Sequence, residues 1–132
     1  TEGASYYKES AYWDIPQLVM KIPKTLQTLD NLFTDDSSFD LIKMDTQGSE
    51  VDIIKGGKNL CKKSKYILLE VSLTKLNEGA PTYEETMSFM EEYGFEQTMS
   101  IGEHYDGDKI IQKDIIFKNI NKKNEKTIFK FR

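Results

Sequence analysis

The stretch Leu41–Glu50 places an acidic side chain where α/β proteins bind ligands. An apolar run ends at Asp45, Gly48 follows, and a segment with helical apolar spacing comes next. Open α/β sheets bind ligands outside the carboxyl ends of their strands. We therefore predict that Asp45 acts as a general base or orients a bound ligand. The alternative is a carboxylate that only caps the following helix, because negative charge is favourable at a helix amino terminus.

The residues next to Asp45 offer further polar groups. Glu50 lies in the first turn of the predicted helix, where it could take part in a site or only compensate the helix dipole. Gln47 can bind polar groups but cannot act as an ionised base. Thr46 offers a hydroxyl and a backbone N–H group. Gly48 suits a positive φ or a close approach between backbone and ligand.

Glu70 interrupts Tyr66–Ser72, the strongest predicted strand of the chain. A carboxylate is rarely buried without a partner, so we expect Glu70 to emerge near Asp45 or to pair with a lysine. Two neighbouring carboxylates would raise one pKa toward the working range of a base. The same pair could hold a divalent cation, but the sequence supplies no full set of ligands and we predict no metal site.

His104 is the only histidine and lies in an acidic stretch. Its imidazole could accept a proton, since the unperturbed pKa of histidine is about 6.5. The alternative is a histidine that is simply exposed in a loop. The neighbouring residues Asp106, Gly107 and Asp108 predict a hairpin turn, because they lack the remaining spacing of a calcium loop.

The elements that must position these side chains alternate along the chain. Apolar runs predict strands over Val19–Pro23, Phe39–Asp45, Tyr66–Ser72, Phe95–Met99 and Asp114–Phe117. Three helices are predicted between them: one capped by Thr28 with Leu29, Leu32 and Phe33 inside, one from about 50 to 60 capped by Ser49 with Asp52, and one capped by Thr82 with Glu85 and ended by Gly94. Gly56 and Gly57 predict a break in the second helix.

This order predicts an α/β fold in a single domain with a mostly parallel sheet. The last two strands are joined by a polar loop, Gly102–Lys109, that contains no helix. Such a connection predicts an antiparallel hairpin at the sheet edge.

The segment Lys43–Glu50 resembles the central motif of the FkbM-type methyltransferases. That motif has a lysine two positions before an aspartate, then a variable residue, Glu or Gln, Gly, a small residue and Glu. Weaker likenesses follow in order at Glu70, at Gly94–Phe95 and at Asp114–Phe117. The resemblance implies a Rossmann-like fold and methyl transfer from S-adenosylmethionine, with O-methylation of a sugar or other small metabolite as the reaction.

The resemblance also implies roles for individual residues. It assigns Asp45, Glu70 and Glu50 to catalysis, and Asp45, Thr46, Gln47 and Gly48 to cofactor binding. The family more often has glutamate where this chain has Gln47, which weakens any scheme that needs three acidic groups there.

The family's first strand and its glycine-rich turn have no counterpart in this sequence, because the adjacent Gly56 and Gly57 follow a helix. We therefore expect residues 1–132 to be the carboxyl-terminal part of a methyltransferase domain, with a basic tail at 119–132 and the cofactor-binding half absent. One alternative is a catalytically silent methyltransferase-like domain that binds a partner. Another is a different α/β transferase.

Composition and charge limit the classes of protein, the location and the partners that the sequence allows. The chain is 38% hydrophobic, which is enough for a core. A single cysteine, Cys61, excludes an internal disulfide framework and favours a cytoplasmic location. A net charge of -4 argues against nucleic-acid binding, and no apolar run approaches about 18 residues, so we predict no membrane partner. Absent strands would leave a sheet edge that could pair two copies into a homodimer.

Overall fold

A computed structural model describes residues 7–9 and 22–121. The strands are β1 (Lys8–Glu9), β2 (Leu41–Met44), β3 (Tyr66–Ser72), β4 (Asn77–Glu78), β5 (Phe95–Asp106) and β6 (Lys109–Asn119). The helices are α1 (Leu29–Leu32), α2 (Glu50–Gly56), α3 (Lys58–Lys63) and α4 (Tyr83–Glu92). Most of the predicted basic tail and most of the predicted strand Val19–Pro23 lie outside the described residues.

The main sheet has four strands in the order β2-β3-β6-β5. Only β2 and β3 pair in parallel, whereas β6 pairs antiparallel with both β3 and β5. The prediction of a mostly parallel sheet is therefore wrong, and the fold is mixed α/β. The helical crossovers do give β2, β3 and β5 a common direction, as parallel strands require. The sheet is mixed because β6 returns through a tight turn and inserts between β3 and β5.

The predicted antiparallel hairpin at the sheet edge is confirmed. Strands β5 and β6 are joined by Gly107 and Asp108, and Asp106 pairs with Lys109 across the turn. Gly107 has a φ of +59°, which suits glycine in a short hairpin turn. The predicted polar loop Gly102–Lys109 is wrong in extent, because β5 continues to Asp106 and His104 lies within this strand.

One face of the sheet packs against the helices to form the core. Its buried apolar residues are Met44, Ile54, Cys61, Ile67, Leu69, Val71, Met90, Phe95, Ile115 and Phe117. Side chains alternate between the two faces along a strand, so Leu69 and Val71 point into this core while Glu70 points to the other face. The same alternation separates Asp114 from Ile115 on β6.

The helix boundaries follow local signals in most places. The predicted capping box of Thr82 and Glu85 is present at α4, and Gly94 follows that helix with a φ of +87°. Thr28 caps α1 by accepting a hydrogen bond from the Asn31 backbone N–H (3.2 Å). The predicted inner side of α1 is partly wrong, because Leu32 is exposed in the described structure.

The predicted break at Gly57 is confirmed, since α2 ends there and α3 begins at Lys58. Gly57 precedes α3 but has no side chain that could accept hydrogen bonds from the first N–H groups of this helix. Asp30 of α1 accepts them instead. Its carboxylate oxygens accept hydrogen bonds from the backbone N–H groups of Asn59 and Leu60 (both 3.0 Å). None of the helices in the described stretches has the length and apolar character needed to cross a membrane.

Candidate functional site

Residues Asp45–Ser49, here named the Asp45 loop, connect β2 to α2 through a tight turn. Gln47 has a φ of +55° and Gly48 a φ of +99°, so two successive residues adopt left-handed backbone conformations. Ser49 donates a hydrogen bond to the carbonyl oxygen of Thr46 (3.1 Å). The predicted cap of α2 by Ser49 is therefore wrong, because its hydroxyl closes the loop instead.

Glu50 holds the Asp45 loop from inside the structure. This residue is only 5% exposed, and its Oε1 accepts hydrogen bonds from the Thr46 backbone N–H (2.8 Å) and hydroxyl (3.0 Å). The carboxylate thus turns back onto the loop that precedes its own helix. Both hydrogen-bond donors of Thr46 bind Glu50, so neither is available to a cofactor in this arrangement. The predicted catalytic role of Glu50 stays a prediction, and its geometry is that of a positioning residue.

Gly48 allows a close approach between the Asp45 loop and the segment after β4. A Cβ atom at this position would lie 2.7 Å from the Cβ of Ala80. The side-chain amide of Asn77 anchors the same loop by donating to the carbonyl oxygen of Gln47 (2.7 Å). The predicted positive φ at Gly48 is confirmed. The close approach seen in the structure is to Ala80 rather than to a ligand.

Asp45 and Glu70 lie together, as the sequence predicts. The amide nitrogen Nε2 of Gln47 donates to Oδ1 of Asp45 (3.3 Å) and to Oε1 of Glu70 (3.1 Å). Parallel pairing causes this proximity, because Met44 at the end of β2 is in register with Leu69 on β3. Lys43 approaches Asp45 from the other side, with Nζ 3.5 Å from Oδ2.

Glu70 is the most enclosed carboxylate of this group, since its side chain is only 10% exposed. Its Oε1 also accepts a hydrogen bond from Nε2 of Gln112 (2.8 Å). Burial is the main cause of a raised Glu70 pKa, and the negative charges of Asp45 and Asp114 add to it. The positive charge of a protonated His104 and the hydrogen bond from Gln47 oppose this rise.

His104 on β5 and Asp114 on β6 complete the group. The Nε2 atom of His104 lies 3.5 Å from Oε2 of Glu70 and 3.5 Å from Oδ2 of Asp114. Asp114 is the register partner of both Glu70 and Gly102, and His104 is the partner of Gln112. These pairings place all the side chains on one sheet face. We name Asp45, Gln47, Glu70, His104, Gln112 and Asp114 the Glu70 site.

Sequence reasoning did not assign Asp114 or Gln112 to the site, and it left His104 open. The available signal was alternation within the last strand, where Gln112 and Asp114 are the polar positions on the face opposite Ile115. That signal identifies a polar face but not its partner strand. The pairing of β6 with β3 is what brings these residues to Glu70.

A cleft of about 150 Å³ adjoins Glu70 on the side of α4. Its lining includes Gly48, Glu50 and the segment Ser72–Lys75. Two buried polar atoms of lining residues, Oγ1 of Thr74 and Oδ1 of Asn77, have no hydrogen-bond partner among residues 7–9 and 22–121.

Comparison with known proteins identifies the family. The family described as "Methyltransferase FkbM domain" matches residues 6–96. The 2-O-methyltransferase NoeI of Sinorhizobium fredii (strain NBRC 101917 / NGR234) is 50% identical over 42 residues, which are 32% of this chain and 17% of that protein. No solved structure matches the chain significantly. The family match extends over the Asp45 loop, Glu70 and α4, and we conclude that the chain belongs to the FkbM methyltransferase family.

Proposed function

We propose that this chain supplies the acceptor side of an S-adenosylmethionine-dependent methyltransferase that acts on a hydroxyl group of a sugar or other small metabolite. Family membership supports methyl transfer, and the similarity to a 2-O-methyltransferase supports an oxygen as the methyl acceptor. The observation that carries the proposal is the bridge from Gln47 to Asp45 and Glu70. It lies at the carboxyl ends of the two parallel strands, where α/β proteins bind ligands.

Methyl transfer to oxygen forms a C–O bond while a C–S bond breaks, and the hydroxyl proton must leave. S-adenosylmethionine supplies the electrophilic methyl group when it is bound. Asp45 is the accessible carboxylate, since its side chain is 46% exposed, and we assign it to orient the acceptor hydroxyl and take its proton. A positioned general base contributes about 10²–10⁴-fold in rate.

Glu70 and Gln47 position this base. Glu70 holds the Gln47 amide in place, and the amide in turn donates to Asp45. We assign the acceptor to the cleft beside Glu70, because this cleft adjoins the carboxylates and its lining includes the polar residues Glu50, Thr74 and Asn77.

The described residues fit one edge of the cofactor rather than all of it. Of the four residues predicted to bind it, Asp45 and Gln47 present side chains at the sheet edge. Thr46 donates both its backbone N–H and its hydroxyl to Glu50, and Gly48 lies close to Ala80. Among residues 7–9 and 22–121 no glycine-rich turn follows a strand, so we assign only one edge of the cofactor to the described residues.

Calorimetric titration with S-adenosylhomocysteine tests the proposal, together with transfer of labelled methyl groups to a panel of sugars. We expect Asp45→Asn to lower the transfer rate by at least about 100-fold. The matched control is Asp36→Asn, which removes an exposed carboxylate in the turn before β2 and should leave transfer unchanged. Absence of both binding and transfer in the full-length protein would overturn the proposal, as would equal rates in the two variants.

A further inference from the structure

Three side chains of the Glu70 site lie close enough to one another to share a metal ion. Glu70, His104 and Asp114 each offer one ligand atom, and these atoms all lie within 4.8 Å of one another. The residues come from three neighbouring strands and stand on one sheet face. We propose that Glu70, His104 and Asp114 bind a first-row divalent transition metal ion, for which Zn²⁺ and Mn²⁺ are the probes.

Two of the three separations between the ligand atoms match those that such an ion imposes. Zinc binds histidine nitrogen and carboxylate oxygen at about 2.0–2.2 Å in tetrahedral geometry, which sets its ligand atoms about 3.4 Å apart. Nε2 of His104 lies 3.5 Å from Oε2 of Glu70 and 3.5 Å from Oδ2 of Asp114. These distances exceed an ordinary hydrogen bond, so one ion can stand between the three atoms without a shift of the backbone.

The surroundings of the three side chains orient them for this role. Oε1 of Glu70 accepts hydrogen bonds from the amides of Gln47 and Gln112, which leaves Oε2 directed toward His104. Such outer hydrogen bonds are the usual support of metal-ligating carboxylates.

Gly102 provides a second, independent observation. A Cβ at this position would lie 2.7 Å from Oδ2 of Asp114, the same oxygen that faces His104. The φ of Gly102 is not in the left-handed region, so backbone conformation does not require glycine here. A Cβ at residue 102 would instead displace the Asp114 carboxylate from its present position.

The chemistry of the ligands decides the class of ion. Imidazole nitrogen suits zinc and its first-row neighbours, whereas magnesium and calcium prefer oxygen ligands alone. Asp45 adds a further negative charge close to Glu70, and this charge favours a divalent cation in the group. The proposal concerns binding and does not depend on methyl transfer.

The test is a calorimetric titration of the tag-free, chelator-treated chain with MnCl₂, ZnCl₂ and MgCl₂. We expect one Mn²⁺ or Zn²⁺ per chain and at least about tenfold weaker Mg²⁺ binding. His104→Ala and Asp114→Asn should weaken binding by at least about 100-fold. Gln112→Ala and Gly102→Ala, which disturb only the support of a ligand, should weaken it by about tenfold.

Glu103→Gln is the matched control, because Glu103 is next to His104 on β5 but is the register partner of Lys113 and faces the other side of the sheet. It should bind the metal as the unaltered chain does. Line broadening of backbone NMR signals by Mn²⁺ locates the ion in the unaltered protein, so the test survives if a variant fails to fold. Broadening centred on residues 70, 104 and 114 supports the site.

Three results would overturn the proposal. The first is an absence of saturable binding of both Mn²⁺ and Zn²⁺. The second is binding that His104→Ala leaves unchanged, and the third is broadening centred on the hairpin turn at Asp106 and Asp108. Any of these results would mean that the three side chains form an ion-paired group only.

Discussion

Replacement of Gly48 by alanine separates two physical reasons for a glycine in the Asp45 loop. The first is its φ of +99°, a conformation that L side chains rarely adopt. The second is the approach of Ala80, whose Cβ would lie 2.7 Å from the new methyl group. Gly107 in the hairpin turn has only the first feature, because its φ is +59° and a Cβ there would meet nothing within 4 Å.

The two contributions have different magnitudes. A side chain in the left-handed region costs about 1–2 kcal/mol, and this cost applies at both Gly48 and Gly107. A separation of 2.7 Å is well inside the carbon contact distance of about 3.5–4.0 Å. Overpacking of this kind costs about 1–3 kcal/mol more. We therefore expect Gly48→Ala to lower the free energy of unfolding by about 2–5 kcal/mol, and Gly107→Ala by about 1–2 kcal/mol.

The assay is urea denaturation followed by far-ultraviolet circular dichroism. The double variant Gly48→Ala/Ala80→Gly should recover the overlap energy, less about 0.5–1 kcal/mol for the added glycine. It should not recover the part of the free energy of unfolding that is lost to backbone strain at residue 48. The reasoning is refuted if Gly48→Ala and Gly107→Ala differ by less than about 0.5 kcal/mol, or if Ala80→Gly restores nothing.

Three further outcomes are expected. Asn119→Ala should lower the free energy of unfolding by at least about 2 kcal/mol, because its buried amide donates to the carbonyl oxygens of Lys62 and Ser64 (both 2.9 Å); a thermal melt that is unchanged would contradict this. Burial raises the pKa of Cys61 from 9.0 to about 11, so its thiolate at pH 8 should be about 100-fold scarcer than in the unfolded chain. Rapid labelling by a thiol reagent without denaturant would argue against that environment. Ile101 is 48% exposed on β5, at an edge of the four-stranded sheet, and Ile101→Lys should shift the predicted homodimer to monomer in analytical ultracentrifugation; an unaltered chain that is monomeric at its highest soluble concentration would refute the dimer.

Local signals predicted the elements of this fold well. Thr82 with Glu85 marks the start of α4, Gly57 separates α2 from α3, and the apolar run of β3 coincides with a buried strand. Each of these features depends on residues that are close in sequence, through backbone hydrogen bonds and glycine conformations. The sequence therefore contains the needed information within a few positions.

Strand extent and burial were harder to predict, because they depend on neighbours from elsewhere in the chain. Leu41 belongs to an apolar run that predicts a strand covered on both faces, yet it is 42% exposed in a strand at the other edge of the described sheet. Strand β5 continues past Met99 to Asp106 because β6 supplies hydrogen-bond partners along its length. The polar composition of residues 102–106 gives no sign of that pairing.

The same cause explains which part of the Glu70 site could be predicted. In a parallel sheet, the side chains of a site follow the carboxyl ends of strands, and this rule correctly brought Asp45 and Glu70 together. An antiparallel strand reaches the same edge with residues from its beginning or its middle. Asp114 enters the site in that way, five positions after the start of β6. His104 lies two positions before the end of β5, which runs in the same direction as β3, but the sequence predicted that this strand would end at Met99. Asp114 and His104 could have been assigned to the site only if the position of β6 beside β3 had been known. That pairing is decided by tertiary packing rather than by any local pattern.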